Sequence, residues 1–245
     1  MYDEIFLFGD SITQQGFSSG WVALLSDAYI RRLRVVNNGL SGYNTRQALR
    51  VLPQLVPPPE KTRIRLLTLF FGANDARVPS DDASPQHIPL PEFRENVRKI
   101  VTHPAIQAHD PRIVLFTPPP IIEGMFEKLR EQVGIHRTPG ITASYANAVR
   151  EVGKELGVPV VDVWSAFIKR TGWKEGEPLP GTPERQEAVL PTLLNDGLHL
   201  TPAGNLIVFD ELMEVVTTNW PELVPEKLST PLPWWDDVSA WNDYD

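Results

Sequence analysis

The chain has 245 residues, of which 42% are apolar and 22% charged, so it can bury a large core without disulfides or structural metal ions. It contains no cysteine, which excludes disulfides, thiolate metal sites and a cysteine nucleophile. The formal net charge of −8 argues against binding to nucleic acid or anionic lipid, because both depend on clustered Lys and Arg side chains. A small-molecule substrate is therefore favoured.

Nothing in the sequence predicts membrane insertion or export. No apolar stretch approaches the roughly 18 residues that a membrane span needs. The first residues, MYDEIFLF, lack the basic start and the long apolar segment of a secretory signal peptide. We therefore expect the mature protein to begin at residue 1 and to be cytoplasmic.

Short apolar runs alternate with helical patterns along the chain, which predicts a parallel sheet built from βαβ units. Each run is bounded by Gly, Pro, Asn or Asp and has the length of a buried strand. In chain order the predicted strands are Ile5–Phe8, Leu33–Val36, Ile64–Phe71, Ile113–Phe116 and Val158–Val163.

Between these strands apolar residues recur at every third or fourth position, which predicts covering helices. The clearest patterns span Trp21–Ala28, Phe93–Val101 and Ile141–Leu156. Gly157 stands where a left-handed residue would close the third of these helices. A last helix is expected to run to about Thr218, with Thr201 as its N-cap and Pro202 as its first residue.

Residues 1–220 contain no linker and no fixed-period repeat, which predicts one α/β domain with three layers. Residues 221–245 form a tail that is rich in proline and acidic residues and contains Trp234, Trp235 and Trp241. The tail is too short for a core of its own and too aromatic for a plain disordered segment. We expect it to pack on the domain or on a dimer partner, beside the functional site.

Ligands of open parallel sheets bind beyond the carboxyl ends of the strands, so the residues that follow each predicted strand are the informative ones. These segments are GDS at 9–11, NNGLSGYNT at 37–45, GAND at 72–75, TPPPI at 117–121 and, before the last helix, NDGLHLTPAG at 195–204. Together they hold one serine, one histidine and one aspartate that can converge, as nucleophilic acyl transfer requires.

Ser11 is the candidate nucleophile of this set. A serine hydroxyl needs a base within hydrogen-bond reach, and the base needs a partner that fixes its tautomer. His199 and Asp196 suit these two roles, because a spacing of three residues in a tight loop lets one side chain lie against the other. The candidate catalytic residues are therefore Ser11, Asp196 and His199.

An oxyanion hole is also required, because negative charge develops on the substrate carbonyl oxygen. Three donors stand at strand ends: the backbone amides of Ser11 and Gly42 and the side-chain amide of Asn74. A neutral Asn suits such a site better than Asp, which would repel the oxyanion.

Each of these segments also has a purely structural alternative. The GDS segment could be a helix cap, Gly42 a turn glycine, GAND a strand-ending turn and the Asp-x-x-His segment a surface loop. The structural alternatives do not explain why all four follow successive strands in this order. The combination favours catalysis.

The sequence resembles the SGNH hydrolases, also called the GDS(L) lipase/esterase family. The four family blocks match Ser11 in FGDSIT, Gly42 in LSGYNT, Asn74 in FGAND and His199 in DGLHL, and the likeness extends from about residue 5 to residue 215. The resemblance implies a flavodoxin-like three-layer α/β/α sandwich with a five-stranded parallel sheet. It also implies an active site without a metal ion or an organic cofactor.

Within that family the segments GDSIT, NNGLSGYNTR, TPPPI and NDGLHLTPAGN are most similar to the fungal isoamyl acetate-hydrolysing esterases. This resemblance implies hydrolysis of short-chain alkyl esters such as acetates, and a homodimer. A lysophospholipase or thioesterase of the same family is the alternative, and a non-catalytic binding protein on this fold is a more distant one.

The remaining candidates are expected to be structural. The TPPPI segment could form a stiff apolar wall beside the site or merely a rigid exit from its strand. Asp10 and Asp75 are expected to brace their loops, and Arg46 to form a surface ion pair. The pair at residues 81 and 82, Asp81 and Asp82, lacks the rest of a calcium loop. Surface or helix-end roles are expected for the other histidines, which are His87, His103, His109 and His136.

Overall fold

A computed structural model describes residues 2–79, 86–129, 136–185 and 187–241. Within these ranges five parallel strands form one sheet in the order β2-β1-β3-β4-β5. The strands are β1 Glu4–Gly9, β2 Arg34–Gly39, β3 Ile64–Phe70, β4 Arg112–Phe116 and β5 Val160–Val161. The predicted α/β fold with a five-stranded parallel sheet is therefore confirmed. The Asp81 and Asp82 pair lies outside the described residues.

The helices of the described ranges lie in the connections between the strands and, from α8 onwards, after the last strand. They are α1 Ser11–Gln14, α2 Trp21–Ala28, α3 Thr45–Leu55, α4 Leu90–Val101, α5 Pro104–Gln107, α6 Met125–Leu129, α7 Pro139–Leu156, α8 Val163–Arg170, α9 Leu190–Leu193, α10 Pro202–Asn219 and α11 Val238–Trp241. The predicted ends of α7 and α10 are confirmed. Gly157 has a φ of 64° after α7, and the Thr201 side chain caps α10. None of these helices is long and apolar enough to cross a membrane.

Two of the predicted strands differ from the observed ones by more than one residue at an end. β2 continues to Gly39, because the polar residues after Val36 still pair with the last residues of β1. β5 is shorter than predicted, because Asp162 accepts a hydrogen bond from the Ser165 amide and thereby starts helix α8 at Val163. The apolar run that predicted β5 therefore includes both the end of the strand and the start of α8, and only the Asp162 cap marks the boundary between them.

The sheet separates two apolar cores. Alternate residues of β1 face opposite sides, as the period of two in a strand requires. Ile5 and Leu7 enter the core under α2, α8 and α10, whereas Phe6 and Phe8 enter the core under α3, α4 and α7. The three-layer sandwich follows from this division.

The position of β1 decides where the site can form. β1 lies inside the sheet between β2 and β3, while β3 occupies the middle place. The chain leaves β1 towards β2 on one side and then continues through β3 on the other, so strand order reverses beside β1. Such a reversal leaves a crevice at the carboxyl ends of the two strands. Gly9 ends β1 at this crevice, and Ser11 follows it.

The described part of the tail packs at the opposite end of the sheet. The Tyr29 hydroxyl donates a hydrogen bond of 2.9 Å to the carbonyl oxygen of Leu223, and the Arg31 guanidinium stacks 3.8 Å from the ring centroid of Trp234. Tyr29 and Arg31 directly precede β2, at the amino ends of the strands. Residues 221–241 therefore do not lie beside Ser11 of their own chain, which is where the tail was expected if it packs within one chain. A domain boundary at residue 220 and a dimer contact of the tail stay predictions.

Replacement of Gly9 by alanine is expected to destabilise the fold. A methyl group there would overlap the Thr13 hydroxyl and lie 2.7 Å from the carbonyl oxygen of Phe70. Overpacking of this kind costs about 1–3 kcal/mol, which urea unfolding can measure. Gly140→Ala is the control, because nothing lies within 4 Å of its new methyl group. Equal unfolding free energies for the two variants would contradict this view of the β1 terminus.

Candidate active site

Ser11 is held at the carboxyl end of β1 by a short helical turn. The Asp10 carboxylate accepts a hydrogen bond of 2.9 Å from the Ile12 amide and so caps helix α1, of which Ser11 is the first residue. Only 6% of Ser11 is exposed. The cap therefore fixes the backbone of Ser11 at the base of the crevice, as predicted for Asp10.

His199 and Asp196 reach Ser11 from the loop before α10. The His199 Nε2 lies 2.9 Å from the Ser11 Oγ, and the His199 Nδ1 lies 2.8 Å from the Asp196 Oδ2. A carboxylate only accepts, so Nδ1 carries the hydrogen and Nε2 accepts from the serine hydroxyl. The three residues thus form one hydrogen-bonded series that can withdraw a proton from Ser11.

The loop itself orients the Asp196 carboxylate. Its Oδ1 accepts hydrogen bonds from the backbone amides of Leu198 at 3.1 Å and His199 at 2.8 Å. Gly197 has a φ of 83°, a left-handed conformation that lets the loop turn this tightly. Partial burial opposes ionisation of Asp196, but the hydrogen bonds from His199 and Leu198 outweigh it and lower its pKa to about 2. Asp196 is therefore ionised at neutral pH.

The structure brings the other two predicted residues to the same place. Ser11, Gly42, Asn74 and His199 line one cavity of about 200 Å³. Gly42 turns the chain after β2 with a φ of 81°, and Asn74 follows β3 with only 4% of its surface exposed. An amide donor set beside a polarised hydroxyl is the arrangement that stabilises a tetrahedral oxyanion.

Several residues of this cavity could not be predicted from the sequence. Gln15, Arg77, Gln86, Phe126 and Arg137 also line it. Arg137 is 5% exposed, and its Nε donates a hydrogen bond of 2.9 Å to the carbonyl oxygen of Ala73. Gln86 and Arg137 precede helices α4 and α7 and belong to none of the segments that follow the strands. No motif in the sequence marks them.

A second, larger cavity lies on the other side of His199. Its volume is about 530 Å³, and its lining includes Ile12, Phe17, Leu200 and Pro202. Together with His199, Gln15 borders both cavities. His199 therefore contributes to the lining of two spaces that a divided substrate could fill.

The TPPPI segment does not form the expected wall. Its prolines line neither of the cavities that border His199, and Pro118 instead packs against Gly72. The amide of the next residue, Ile122, donates a hydrogen bond of 2.9 Å to the carbonyl oxygen of Gly197. The segment therefore supports the loop that carries Asp196, and the prediction of an apolar wall is wrong.

The smaller structural predictions have different outcomes. Arg46 forms the expected surface ion pair, with a distance of 2.7 Å to Glu92. His103 caps a helix, as expected, by accepting from the amide of Ala105. His109 is instead buried, and its Nδ1 accepts from the Ile64 amide at 3.1 Å. It joins α5 to the start of β3, far from Ser11.

Two buried carboxyl groups lie beneath the site. The Asp75 Oδ1 accepts from both the amide and the hydroxyl of Thr45, which joins the Asn74 loop to helix α3. Burial raises the pKa of Asp75 to about 7, and burial likewise raises the pKa of Asp10 to about 6. Asp75 braces its loop, as predicted.

Comparison with known proteins identifies relatives over most of the chain. Residues 7–207 match the model of the GDSL-like Lipase/Acylhydrolase family. A GDSL esterase/lipase of Arabidopsis thaliana is 38% identical over 250 residues, which cover 99% of this chain and 96% of the relative. The isoamyl acetate-hydrolyzing esterase 1 homolog of Bos taurus is 35% identical over 246 residues, which cover 98% and 89%.

Solved structures show the same fold. An acetyl xylan esterase superposes with a TM-score of 0.63 at 20% identity, covering 87% of this chain and 99% of that one. The lipase/acylhydrolase from Enterococcus faecalis superposes with a TM-score of 0.61 at 23% identity, covering 94% and 100%.

Replacement of Asp75 by asparagine is expected to flatten the pH dependence of stability. A folded-state pKa of about 7 exceeds the ordinary value near 4, so the folded state binds the extra proton between these values. The unfolding free energy therefore falls as pH rises towards 7 and levels off above it. From pH 5 to pH 8 this loss amounts to about 3 kcal/mol.

The carboxamide introduced by Asp75→Asn would still accept from Thr45 but would not titrate, so this part of the slope should vanish in the variant. Urea unfolding at several pH values measures the slope for both proteins. Parallel curves for wild type and variant would contradict the assignment.

Proposed function

This chain belongs to the GDSL-like lipase/acylhydrolase family and is an esterase or acylhydrolase, and we propose that it hydrolyses short-chain carboxylic esters through an acyl-enzyme on Ser11. The family match also confirms the resemblance that the four sequence blocks indicated. The observation that carries the proposal is the hydrogen-bonded series from Ser11 through His199 to Asp196, which opens on the cavity of Gly42 and Asn74.

The first half of the proposed reaction transfers the acyl group to the protein. The Ser11 Oγ attacks the ester carbonyl carbon while its proton passes to the His199 Nε2. The amides of Ser11 and Gly42 and the Asn74 side chain donate hydrogen bonds to the resulting oxyanion. When the tetrahedral intermediate collapses, His199 returns the proton to the departing alkoxide, and the alcohol leaves.

The second half releases the acid. A water molecule gives a proton to His199 and attacks the acyl-enzyme carbonyl, and the same donors hold the second oxyanion. Collapse breaks the bond to the Ser11 Oγ, which regains its proton from His199. Asp196, with its pKa lowered to about 2 by the net effect of burial and stronger hydrogen bonds, stays ionised and steadies the imidazolium.

The two cavities support a short acyl group and a larger alcohol. The cavity at Ser11, with a volume of about 200 Å³, suits the carbonyl and a small acyl group. The space of about 530 Å³ suits the alcohol, because His199, which is proposed to protonate the leaving oxygen, is among the residues that line it. The isoamyl acetate-hydrolyzing esterase homolog of Bos taurus, by its name, supports acetate-type alkyl esters as the substrate class.

Replacement of Ser11 by alanine is expected to remove the esterase activity. Loss of a serine nucleophile lowers kcat by about 10⁴-fold or more in such systems. Hydrolysis of p-nitrophenyl acetate and covalent labelling by a fluorophosphonate measure this. Ser41→Ala is the matched control, because Ser41 lines the same cavity and lies outside the hydrogen-bonded series. Labelling or turnover that survives in Ser11→Ala would refute the proposal.

A series of p-nitrophenyl esters from acetyl to decanoyl tests the acyl preference. We expect kcat/KM to be highest for acetyl to butyryl and to fall about tenfold or more by octanoyl, because the small cavity cannot hold a longer chain. Activity that rises towards decanoyl would favour the lysophospholipase or thioesterase alternative instead.

A further inference from the structure

We infer that Arg137 and Gln86 are positioning residues that hold the Asn74 carboxamide in the single orientation able to donate to the oxyanion. The inference rests on the proposed function, because it concerns the donor set of that reaction. Neither Arg137 nor Gln86 belongs to any of the segments that follow the strands.

Three contacts determine the orientation of the Asn74 amide. Its Nδ2 donates a hydrogen bond of 2.9 Å to the carbonyl oxygen of Tyr43. Its Oδ1 accepts from the Arg137 Nη2 at 3.1 Å and from the Gln86 Nε2 at 3.2 Å. A carboxamide nitrogen only donates and a guanidinium only donates, so all three contacts agree on one orientation.

The opposite orientation of the Asn74 amide would break all three hydrogen bonds. A rotation of the amide by half a turn would place its NH₂ group against two donors and its oxygen against the Tyr43 carbonyl. One Nδ2 hydrogen of Asn74 is bonded to Tyr43, and the other is the one proposed to reach the oxyanion. After the flip, the carbonyl oxygen of Asn74 would take the place of that second hydrogen on the cavity side. A carbonyl oxygen repels the negative charge that Asn74 is proposed to stabilise, so the flip would convert a donor into a repulsive group.

Arg137 donates hydrogen bonds to two consecutive residues through its planar guanidinium group. Its Nε donates to the Ala73 carbonyl oxygen at 2.9 Å, and its Nη2 donates to the Asn74 side chain. The guanidinium is nearly fully buried and lies 5.3 Å from the ring centroid of Phe126. Lysine has no planar fork, so it cannot reproduce both bonds.

Gln86 joins the two loops that carry the oxyanion donors. Its Nε2 donates to the Gly42 carbonyl oxygen at 3.1 Å as well as to Asn74. Gly42 and Asn74 lie on different loops, after β2 and β3, so this side chain fixes their relative position.

The positive charge of Arg137 adds to the orienting effect of its hydrogen bonds. Hydrogen bonds from a charged donor are stronger than neutral ones, and they polarise the next bond of the series. A guanidinium that withdraws electron density from the Asn74 oxygen makes the Nδ2 hydrogens better donors. Arg137 can thereby support the oxyanion without touching the substrate.

The test is a double-mutant cycle between Arg137→Met and Asn74→Ala, with kcat and KM for p-nitrophenyl acetate as readouts. In the wild-type background Arg137→Met should lower kcat about 10- to 100-fold, with KM changed less than threefold, because the lost interaction matters in the transition state. In the Asn74→Ala background the same change should lower kcat less than threefold, because the residue through which Arg137 acts is absent.

Matched variants make the result specific. Arg46→Met, which removes a surface arginine, should leave kcat unchanged. Arg137→Lys should restore only part of kcat, since one of two bonds can form. If Arg137→Met does not fold, the cycle is run with Gln86→Met. Gln86→Glu should then lower kcat more than Gln86→Met does, because a carboxylate attracts the Asn74 NH₂ group and so favours the flipped orientation.

The outcomes separate the two proposals. An equal kcat loss from Arg137→Met in both backgrounds, or unchanged kcat in the wild-type background, would overturn this inference. If the Gln86 cycle is used, the same additive result, or a Gln86→Glu variant no worse than Gln86→Met, would overturn it. Failure of the fluorophosphonate to label Ser11 would instead overturn the proposed function, whatever the Arg137 variants do.

Discussion

The hydrogen bond of 2.9 Å between Ser11 and His199 is the interaction on which the rest of the site depends, because it joins the two ends of the domain. Ser11 belongs to the first turn after β1, whereas His199 precedes α10. Both positions are correct only when α10 packs beside α2 over the same apolar core. The Trp21 amide, which donates to the Asn205 side chain at 3.1 Å, locks these two helices at the cavity end. Core packing therefore sets the distance between Ser11 and His199.

Three carboxyl groups near this bond differ in charge because their surroundings differ. Asp196 is partly buried and receives hydrogen bonds from His199 and Leu198, which outweigh burial and lower its pKa to about 2. Burial dominates for Asp10 and Asp75 and raises their pKa values to about 6 and 7. Ionised Asp196 thus faces the imidazole, while Asp10 and Asp75 bear less charge beneath the serine than exposed carboxyls would.

Strand-end residues could be predicted from the sequence because their position follows from local order. Ser11, Gly42 and Asn74 each come directly after a parallel strand, and all such ends meet at one edge of the sheet. Gln86 and Arg137 reach the same edge from segments before helices, through contacts with residues more than ten positions away. Local patterns carry no information about such contacts. The error at β5 is of another kind, since Val163 is apolar in either a strand or a helix and only the Asp162 cap decides between them.

The proposed oxyanion donors also differ in what they require of the fold. The backbone amide of Gly42 can point in only one direction once φ and ψ are set. A side-chain amide is nearly symmetric in shape, so its direction has to be fixed by its hydrogen-bond partners. The site meets this need with an acceptor, the Tyr43 carbonyl, on one side of Asn74 and with two donors on the other. A side-chain donor in place of a backbone donor thus needs partners that fix its direction, and we propose that a chain of net charge −8 buries Arg137 in the cavity of Ser11 for this reason.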